Sequence, residues 1–279
     1  MSTYNLCYLL GILIGWVMFV AAEEDIYNCE SRHINMKTVF LASIAYLVVV
    51  LICIQGANYF HFIFDHIPAA ARKKLTWKDI IFPDLMRTVK VLYGAIFFYP
   101  VAIFIVSKVL KKKDFLDYLS RKGFILFFIL GFARLGCFAN GCCYGIRSDL
   151  FGIRFPMGSA ASGEHMRRGL TYGFVPPPSL PVIPTQIISA AVIFALSFFC
   201  WRSYRKEKNR TLFFNYVLYY AIFRFLIEFI RDDIDRAYWL GISASQWISI
   251  LIMICFLVYY GVKKRGSEGS RIQGGRVNR

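Results

Sequence analysis

Acidic residues are scarce in this 279-residue chain: Asp and Glu number 17 against 33 Lys and Arg, for a formal net charge of +16. Charged residues of both signs reach only 18%, while hydrophobic residues reach 57% and mean hydropathy is +0.51. A soluble domain of ordinary composition carries about 25% charged residues, so that class is excluded. No internal repeat is visible. No basic segment precedes the first apolar run, so Leu6–Ala21 is expected to be a membrane span rather than a cleavable signal. The eight cysteines do not form a secreted-domain framework. Cys7, Cys53, Cys200 and Cys255 lie in apolar runs, where cysteine behaves as a small hydrophobe, and Cys29 lies in the first loop. Only Cys137, Cys142 and Cys143 cluster.

What is present is a series of apolar runs, each near the roughly 20 residues that cross a bilayer. Seven are expected, at about 5–22, 37–56, 89–110, 123–141, 184–201, 211–231 and 244–262. The fold class is therefore all-α, a polytopic membrane protein with one seven-helix domain over residues 1–262 and a basic tail over 263–279. Two connections are long. Residues 57–88, with Trp77 and an Arg-Lys-Lys run, are expected to lie at the outer membrane surface. Residues 142–183 form a Pro- and Gly-rich outer loop, where His165 is expected to be a surface histidine.

The basic charge follows topology. Alternate loops and the tail hold 19 of the Lys and Arg residues, including Lys111, Lys112, Lys113, Arg121, Lys122, Arg202, Arg205, Lys206, Lys208 and Arg210, against 12 on the other side. The positive-inside rule then puts the N-terminus outside and the C-terminus in the cytoplasm. Basic loops at a membrane attract anionic headgroups, so nucleic acid is not expected as a partner.

With that orientation, the unusual polar residues of five spans fall in the outer half of the membrane. The run Gly131-Phe-Ala-Arg-Leu-Gly-Cys-Phe-Ala-Asn-Gly-Cys-Cys-Tyr-Gly145 begins as an apolar helix and ends as a polar turn. It carries Arg134, a charge that is expensive at membrane depth. In the sixth span Tyr220, Arg224, Glu228 and Arg231 are spaced to form one stripe of a helix. Tyr93 lies near the outer end of the third span, and Gln186 and Gln246 near the starts of the fifth and seventh. One polar cavity open toward the outer side accounts for this convergence. Two intramembrane arginines facing a cavity suit an anion, because guanidinium matches phosphate bidentately, and the abundant anion of a membrane is a phospholipid headgroup. The structural alternatives are an Arg224–Glu228 pair that neutralises itself and helix–helix glue through Arg134 and Asn140. A seven-span receptor or a transporter fits less well, since the polar groups share one depth and no helix is broken at mid-membrane. No metal or cofactor is expected: cysteines at x4 and x0 spacing lack the usual two-residue gap of a zinc site and a fourth ligand.

The run 133–145 resembles the signature of bacterial prolipoprotein diacylglyceryl transferases. Pro184-Thr185-Gln186 and Tyr220-Ala-Ile-Phe-Arg-Phe-Leu-Ile-Glu-Phe-Ile-Arg231 resemble two further motifs of that family, in the right order. The resemblance covers the chain from about residue 85 onward, with the first two spans matching only as spans. It implies an enzyme of the bacterial cytoplasmic (inner) membrane with its active site facing the outer leaflet. Such an enzyme moves diacylglyceryl from phosphatidylglycerol to the thiol of a prolipoprotein cysteine and releases glycerol phosphate. It implies that Arg134 and Arg224 handle phosphate, with Arg231, Gly145, Gln186 and Tyr220 lining the lipid site. Asn140 and Glu228 match the family's catalytic positions. The family's His at the third span reads Tyr93 here, the His before Pro184 reads Ile183, and the Asn and Glu of the signature read Cys137 and Cys142. Phosphate handling is thus expected to be retained while the proton-handling set has changed. Tyr93, Glu228 or a cysteine would have to supply the base. Three readings stay open: transfer to a prolipoprotein thiol; transfer to another acceptor or through a Cys142 or Cys143 nucleophile; and a non-catalytic lipid-binding or redox protein using Cys137, Cys142 and Cys143.

Overall fold

A computed structural model describes residues 3–23, 27–28, 33–61, 92–233 and 238–274. Its long helices are α1 (Thr3–Ala21), α2 (Met36–His61), α3 (Leu92–Val109), α4 (Phe115–Asn140), α6 (Thr185–Glu207), α7 (Leu212–Ile227, continued by a 3₁₀ turn over Glu228–Ile230) and α8 (Ala244–Gly274). A short α5 (Ala160–Arg167) lies in the 142–183 segment. Two two-residue antiparallel ladders complete the described elements, β1 (Tyr27–Asn28) with β2 (His33–Ile34) and β3 (Tyr238–Trp239) with β4 (Ile242–Ser243). Seven helices are long and apolar enough to cross a membrane, as expected for the all-α class. Past His61, the surface element expected at 57–88 lies outside the described residues, as does Cys29.

The outward faces of the bundle are apolar. Leu6, Leu13, Leu47, Leu51, Leu251 and Leu257 are all exposed, which suits lipid rather than water. The interior is built around α4, which packs against α1, α3, α6 and α7. Its Gly123, Gly131 and Gly136 each receive a ring, from Phe213, Phe194 and Tyr4. Small residues at such positions let membrane helices approach closely, where packing rather than water expulsion drives association. Phe127, Ile103, Ile193 and Phe213 fill the centre with little or no exposure.

Several helices start or end away from their expected limits: α2 runs five residues past 56 to His61, and α8 runs twelve past 262 to Gly274, so residues 263–274 of the expected tail are helical. α4 begins at Phe115, eight residues before the expected 123, because Asp114 caps it by accepting from the Leu116 amide. Residues counted as a basic loop are therefore helical. Arg121 pairs with Asp117 one turn back. Lys122 is 0% exposed and lies between α1 and α4, 2.9 Å from the Glu23 carboxylate and 4.2 Å above the Phe19 ring. Glu23 also receives Lys112 at 2.9 Å and the Tyr118 hydroxyl at 2.6 Å. One buried carboxylate thus closes the end of the bundle opposite Arg134. α6 runs six residues past its expected end, with Arg202, Arg205 and Lys206 on its last turns. A groove of about 880 Å³ opens beside it, walled by Phe124, Phe128, Phe194 and Phe198.

Removing one partner of a buried ion pair leaves the other charge without compensation, which costs about 3–5 kcal/mol. Glu23→Ala is therefore expected to lower the thermal midpoint of the detergent-solubilised protein strongly. The double variant Glu23→Leu/Lys122→Met is expected to recover most of the loss. Equal midpoints for Glu23→Ala and wild type would show that the pair is not buried.

Candidate active site

The site lies at the other end of α4. The helix terminates in a Schellman motif: Gly141 adopts φ 71°, its amide donates to the Phe138 carbonyl at 3.0 Å, and the Cys142 amide donates to the Cys137 carbonyl at 3.1 Å. The reversal leads into an extended strap held on both sides. The Gly145 amide donates to the Ile183 carbonyl at 2.9 Å, the Ile146 amide to the Ile230 carbonyl at 2.8 Å, and Gly145 forms an antiparallel bridge with Arg231. A Cβ at Gly145 would sit 2.7 Å from the Ile230 carbonyl oxygen and 2.8 Å from Thr185 Cγ2, so only glycine lets three segments meet there.

This bridge corrects the expected helical stripe. α7 ends at Ile227, the turn Glu228–Ile230 is 3₁₀, and Arg231 is extended. Arg231 still meets Glu228, three residues away across the 3₁₀ turn rather than along a continuing α-helix. The Glu228 carboxylate is buried and fully engaged. It accepts from Arg224 Nη1, from Arg231 Nη1 at 3.2 Å and from the Ser245 hydroxyl at 3.3 Å. Arg224 Nη2 donates to Ser245 at 3.0 Å, and Arg231 grips Asp233 through two bonds of 3.0 and 2.7 Å. The Arg224–Glu228 pair therefore forms. Tyr93 is buried, shares a 2.6 Å hydrogen bond with Ser249, and packs edge-on against Tyr220 at 5.6 Å between ring centroids. Ser249 in turn donates to the Ser245 carbonyl at 2.8 Å. Ser249 was missed at the sequence level; its only signal was a second serine four residues after Ser245 in an apolar helix.

Arg134 is different. It is 7% exposed and makes no ion pair with a described residue, and its Nε has no hydrogen-bond partner. Tyr220, Cys137, Cys143 and Arg231 interact with it electrostatically. The Tyr220 hydroxyl and Gln186 Oε1 are likewise buried without partners, while Gln186 Nε2 donates to the Cys142 carbonyl at 2.7 Å. Most buried polar groups in folded proteins are satisfied, so the orphaned Arg134 Nε and Tyr220 hydroxyl, which interact across α4 and α7, mark a place suited to something polar. Asn140 is exposed at the helix end beside the thiols.

Cys137, Cys142 and Cys143 bring their sulfurs within 4.8 Å of one another. The Cys143 backbone is left-handed at φ 63°, and its carbonyl accepts from Thr185 Oγ1 at 2.6 Å. Hydrogen bonds from the Cys137 and Cys142 thiols, with the charges of Arg231 and Arg134, outweigh burial and hold the Cys143 thiol well below the usual range.

The 142–183 segment is a small folded cap rather than an open loop. Tyr144, Phe155, Ala161 and Val182 form its own core. His165 is 2% exposed, not a surface residue: its Nδ1 accepts from the Leu180 amide at 3.0 Å and its ring stands edge-on to Tyr144 at 5.3 Å. Arg168 ties the cap to Asp232, beside Arg231, with bonds of 3.2 Å to the carboxylate and 2.6 Å to the carbonyl.

Gly145→Ala is expected to cost about 1–3 kcal/mol, as overpacking does, and to expose the strap to protease. An unchanged thermal midpoint and unchanged cleavage would show that the three segments do not meet as described. Burial, then the Arg168 charge, hold His165 below its ordinary value. Its folded form is neutral, so its stabilisation is complete above the unfolded value of about 6.5 and is lost as pH falls through the lower folded value. Cleavage within the cap is expected to rise as pH drops below about 6.5 and to lose that dependence in His165→Asn, which keeps an acceptor near Nδ1.

Comparisons with known proteins identify the family. A family model described as prolipoprotein diacylglyceryl transferase matches residues 1–262. The chain is 37% identical over 137 residues to phosphatidylglycerol–prolipoprotein diacylglyceryl transferase 2 of Clostridium perfringens, a match covering 48% of this chain and 47% of that protein. It is 31% identical over 176 residues to the phosphatidylglycerol–prolipoprotein diacylglyceryl transferase of Clostridium tetani, covering 62% and 64%. The protein of the same name from Dehalococcoides mccartyi is 28% identical over 141 residues, covering 48% of each chain. These matches span about half to just under two thirds of the relatives' length. The family model spans the whole described bundle from α1 into α8, and on that match the chain belongs to the prolipoprotein diacylglyceryl transferase family.

Proposed function

We propose that this protein transfers diacylglyceryl from phosphatidylglycerol to the thiol of a prolipoprotein cysteine, releasing glycerol phosphate, in the bacterial cytoplasmic membrane. The observation that carries the reading is Arg134: a buried guanidinium with no carboxylate partner among the described residues and an unpartnered Nε, interacting electrostatically with Tyr220, whose hydroxyl is also unpartnered. A phosphodiester supplies what these groups lack, because its oxygens accept from a guanidinium fork and from a hydroxyl. The bond broken is the one between a glycerol carbon and phosphate oxygen, and charge grows on that oxygen as it breaks. A fixed cation in a dry site stabilises such charge more than it stabilises the ground state. Arg224 and Arg231, already oriented by Glu228, Ser245 and Asp233, add positive potential without having to move.

The relatives' names support the donor and the acceptor class. The positive-inside bias supports a site facing the outer leaflet, with the N-terminus outside and Lys111, Lys112, Lys113, Arg205, Lys206, Lys208 and Arg210 at the cytoplasmic end. Proton handling is where this chain departs from the family signature. Glu228 has its oxygens taken by two arginines and a serine, and Tyr93 is bonded to Ser249, so both act as positioning residues in this reading. Asn140, Gly145 and Cys142 shape the turn that faces the substrate. The thiol cluster favours a second reading, an acceptor thiol other than that of a lipoprotein.

The test uses full-length protein in vesicles containing labelled phosphatidylglycerol and a lipobox peptide. Wild type is expected to form the thioether peptide and glycerol phosphate. Arg134→Ala is expected to lose about 10²–10³ in rate, the usual cost of removing one transition-state donor. Its thermal midpoint should hold or rise, because a buried guanidinium without a carboxylate partner has been removed. No transfer to the peptide or to small thiols by wild type would sink the assignment; transfer to small thiols alone would select the second reading.

A further inference from the structure

We propose that Cys137, Cys142 and Cys143 form a zinc site with an open fourth position, and that this position takes the acceptor thiol. The proposal rests on the transfer reaction above and concerns how its nucleophile is made.

Sequence spacing argued against a metal, since adjacent cysteines and a four-residue gap do not match the usual loops. The Schellman turn supplies the convergence instead. In that motif the residues two past the helix end and three before it come into contact, here Cys142 and Cys137. The left-handed backbone of Cys143 then returns the third sulfur to the same place. Three sulfurs within 4.8 Å of one another need only small rotations to reach the roughly 3.8 Å edge of a tetrahedron with Zn–S of about 2.3 Å. Both carbonyls of the turn are held, Cys142 by Gln186 and Cys143 by Thr185, so the ligand-bearing backbone is fixed before any ion arrives. Charge is also suited. Three thiolates and Zn²⁺ carry one net negative charge, which Arg134 beside the cluster offsets, while Arg231 is already held by Glu228 and Asp233. No carboxylate has to be recruited.

Three protein ligands with a vacant fourth position are the pattern of catalytic rather than structural zinc. Such a site answers the problem of the missing base. A thiol bound to zinc is deprotonated outright, with no side chain needed to take the proton. In this step the acceptor S–H gives its proton to water and the sulfur binds zinc. A sulfur lone pair then forms the S–C bond to the terminal glycerol carbon. The C–O bond to phosphate breaks, its electron pair leaves with the oxygen, and glycerol phosphate departs toward Arg134. Zinc keeps its oxidation state throughout.

The experiment uses full-length protein in lipid nanodiscs. Zinc content by mass spectrometry is expected to be about one per chain in wild type and to fall to background in Cys137→Ser/Cys142→Ser/Cys143→Ser. Cobalt is then exchanged into wild type by chelation and reloading. Its spectrum should show sulfur-to-cobalt charge transfer and shift on addition of a lipobox peptide, but not of the same peptide with Ser for Cys. Wild-type zinc no higher than in the triple variant, or a cobalt spectrum indifferent to the peptide thiol, overturns the proposal. So does full transfer by chelated, zinc-free wild type, an outcome that leaves the transferase assignment standing. Zinc binding and a thiol-dependent spectrum without any transfer would support the site and instead overturn the transferase assignment. The chelation and cobalt arms use unmutated protein, so a folding defect in the triple variant does not decide the result.

Discussion

The arrangement of this site depends on how one carboxylate is shared. Glu228 sits between Arg224 and Arg231 and satisfies both, with Ser245 closing the set. Asp233 takes the remaining donors of Arg231. That leaves no acidic group for Arg134 among the described residues. In a low-dielectric interior each charge is expensive unless paired, so a fold that pairs two arginines and leaves a third alone has set up a directed field. Arg134 on α4 and the orphan Tyr220 hydroxyl on α7 interact, and α4, α6 and α7 pack around one another.

Two ends of the same helix show opposite solutions to burying a cation. At one end of α4, Lys122 is closed off by Glu23, Tyr118 and the Phe19 ring, and nothing is left for a ligand to satisfy. At the other end Arg134 makes no ion pair with a carboxylate of the described residues, and its Nε has no hydrogen-bond partner. The first arrangement ties α1 to α4 and is architectural. The second has the character of a site kept at a stability disadvantage for the sake of binding, a trade that functional centres commonly make. The cap over residues 142–183 belongs with the second end. Its bridges at Gly145 and its Arg168–Asp232 contact set where Arg231 points.

Much of this was readable from residue order. Hydropathy located all seven spans, because a bilayer demands long apolar runs and little else imitates them. Tyr93, Arg134, Tyr220 and Arg224 interact with one another across three helices, as their positions along oppositely running spans imply. What escaped was whatever depended on turns and on contacts between distant segments. Arg231 looked like the fourth member of a helical stripe, and is held by a β-bridge to Gly145. Lys122 looked like a loop cation until Asp114 was seen to cap α4 early. His165 looked like a surface residue, since nothing local announces that Leu180 and Tyr144 will fold over it. The three cysteines looked badly spaced, because spacing rules assume ordinary loops and this turn reverses through Gly141.

The loneliness of Arg134 has a consequence for the protein as a physical object in its membrane. In the proposed reading, the anion that fills that place binds the folded chain and not the unfolded one, and so adds to folding free energy by mass action. The thermodynamic resilience of the bundle is then not a constant of its sequence. It becomes a function of the surrounding lipid mixture, firmer in a bilayer rich in acidic phospholipid and softer in one made of zwitterions.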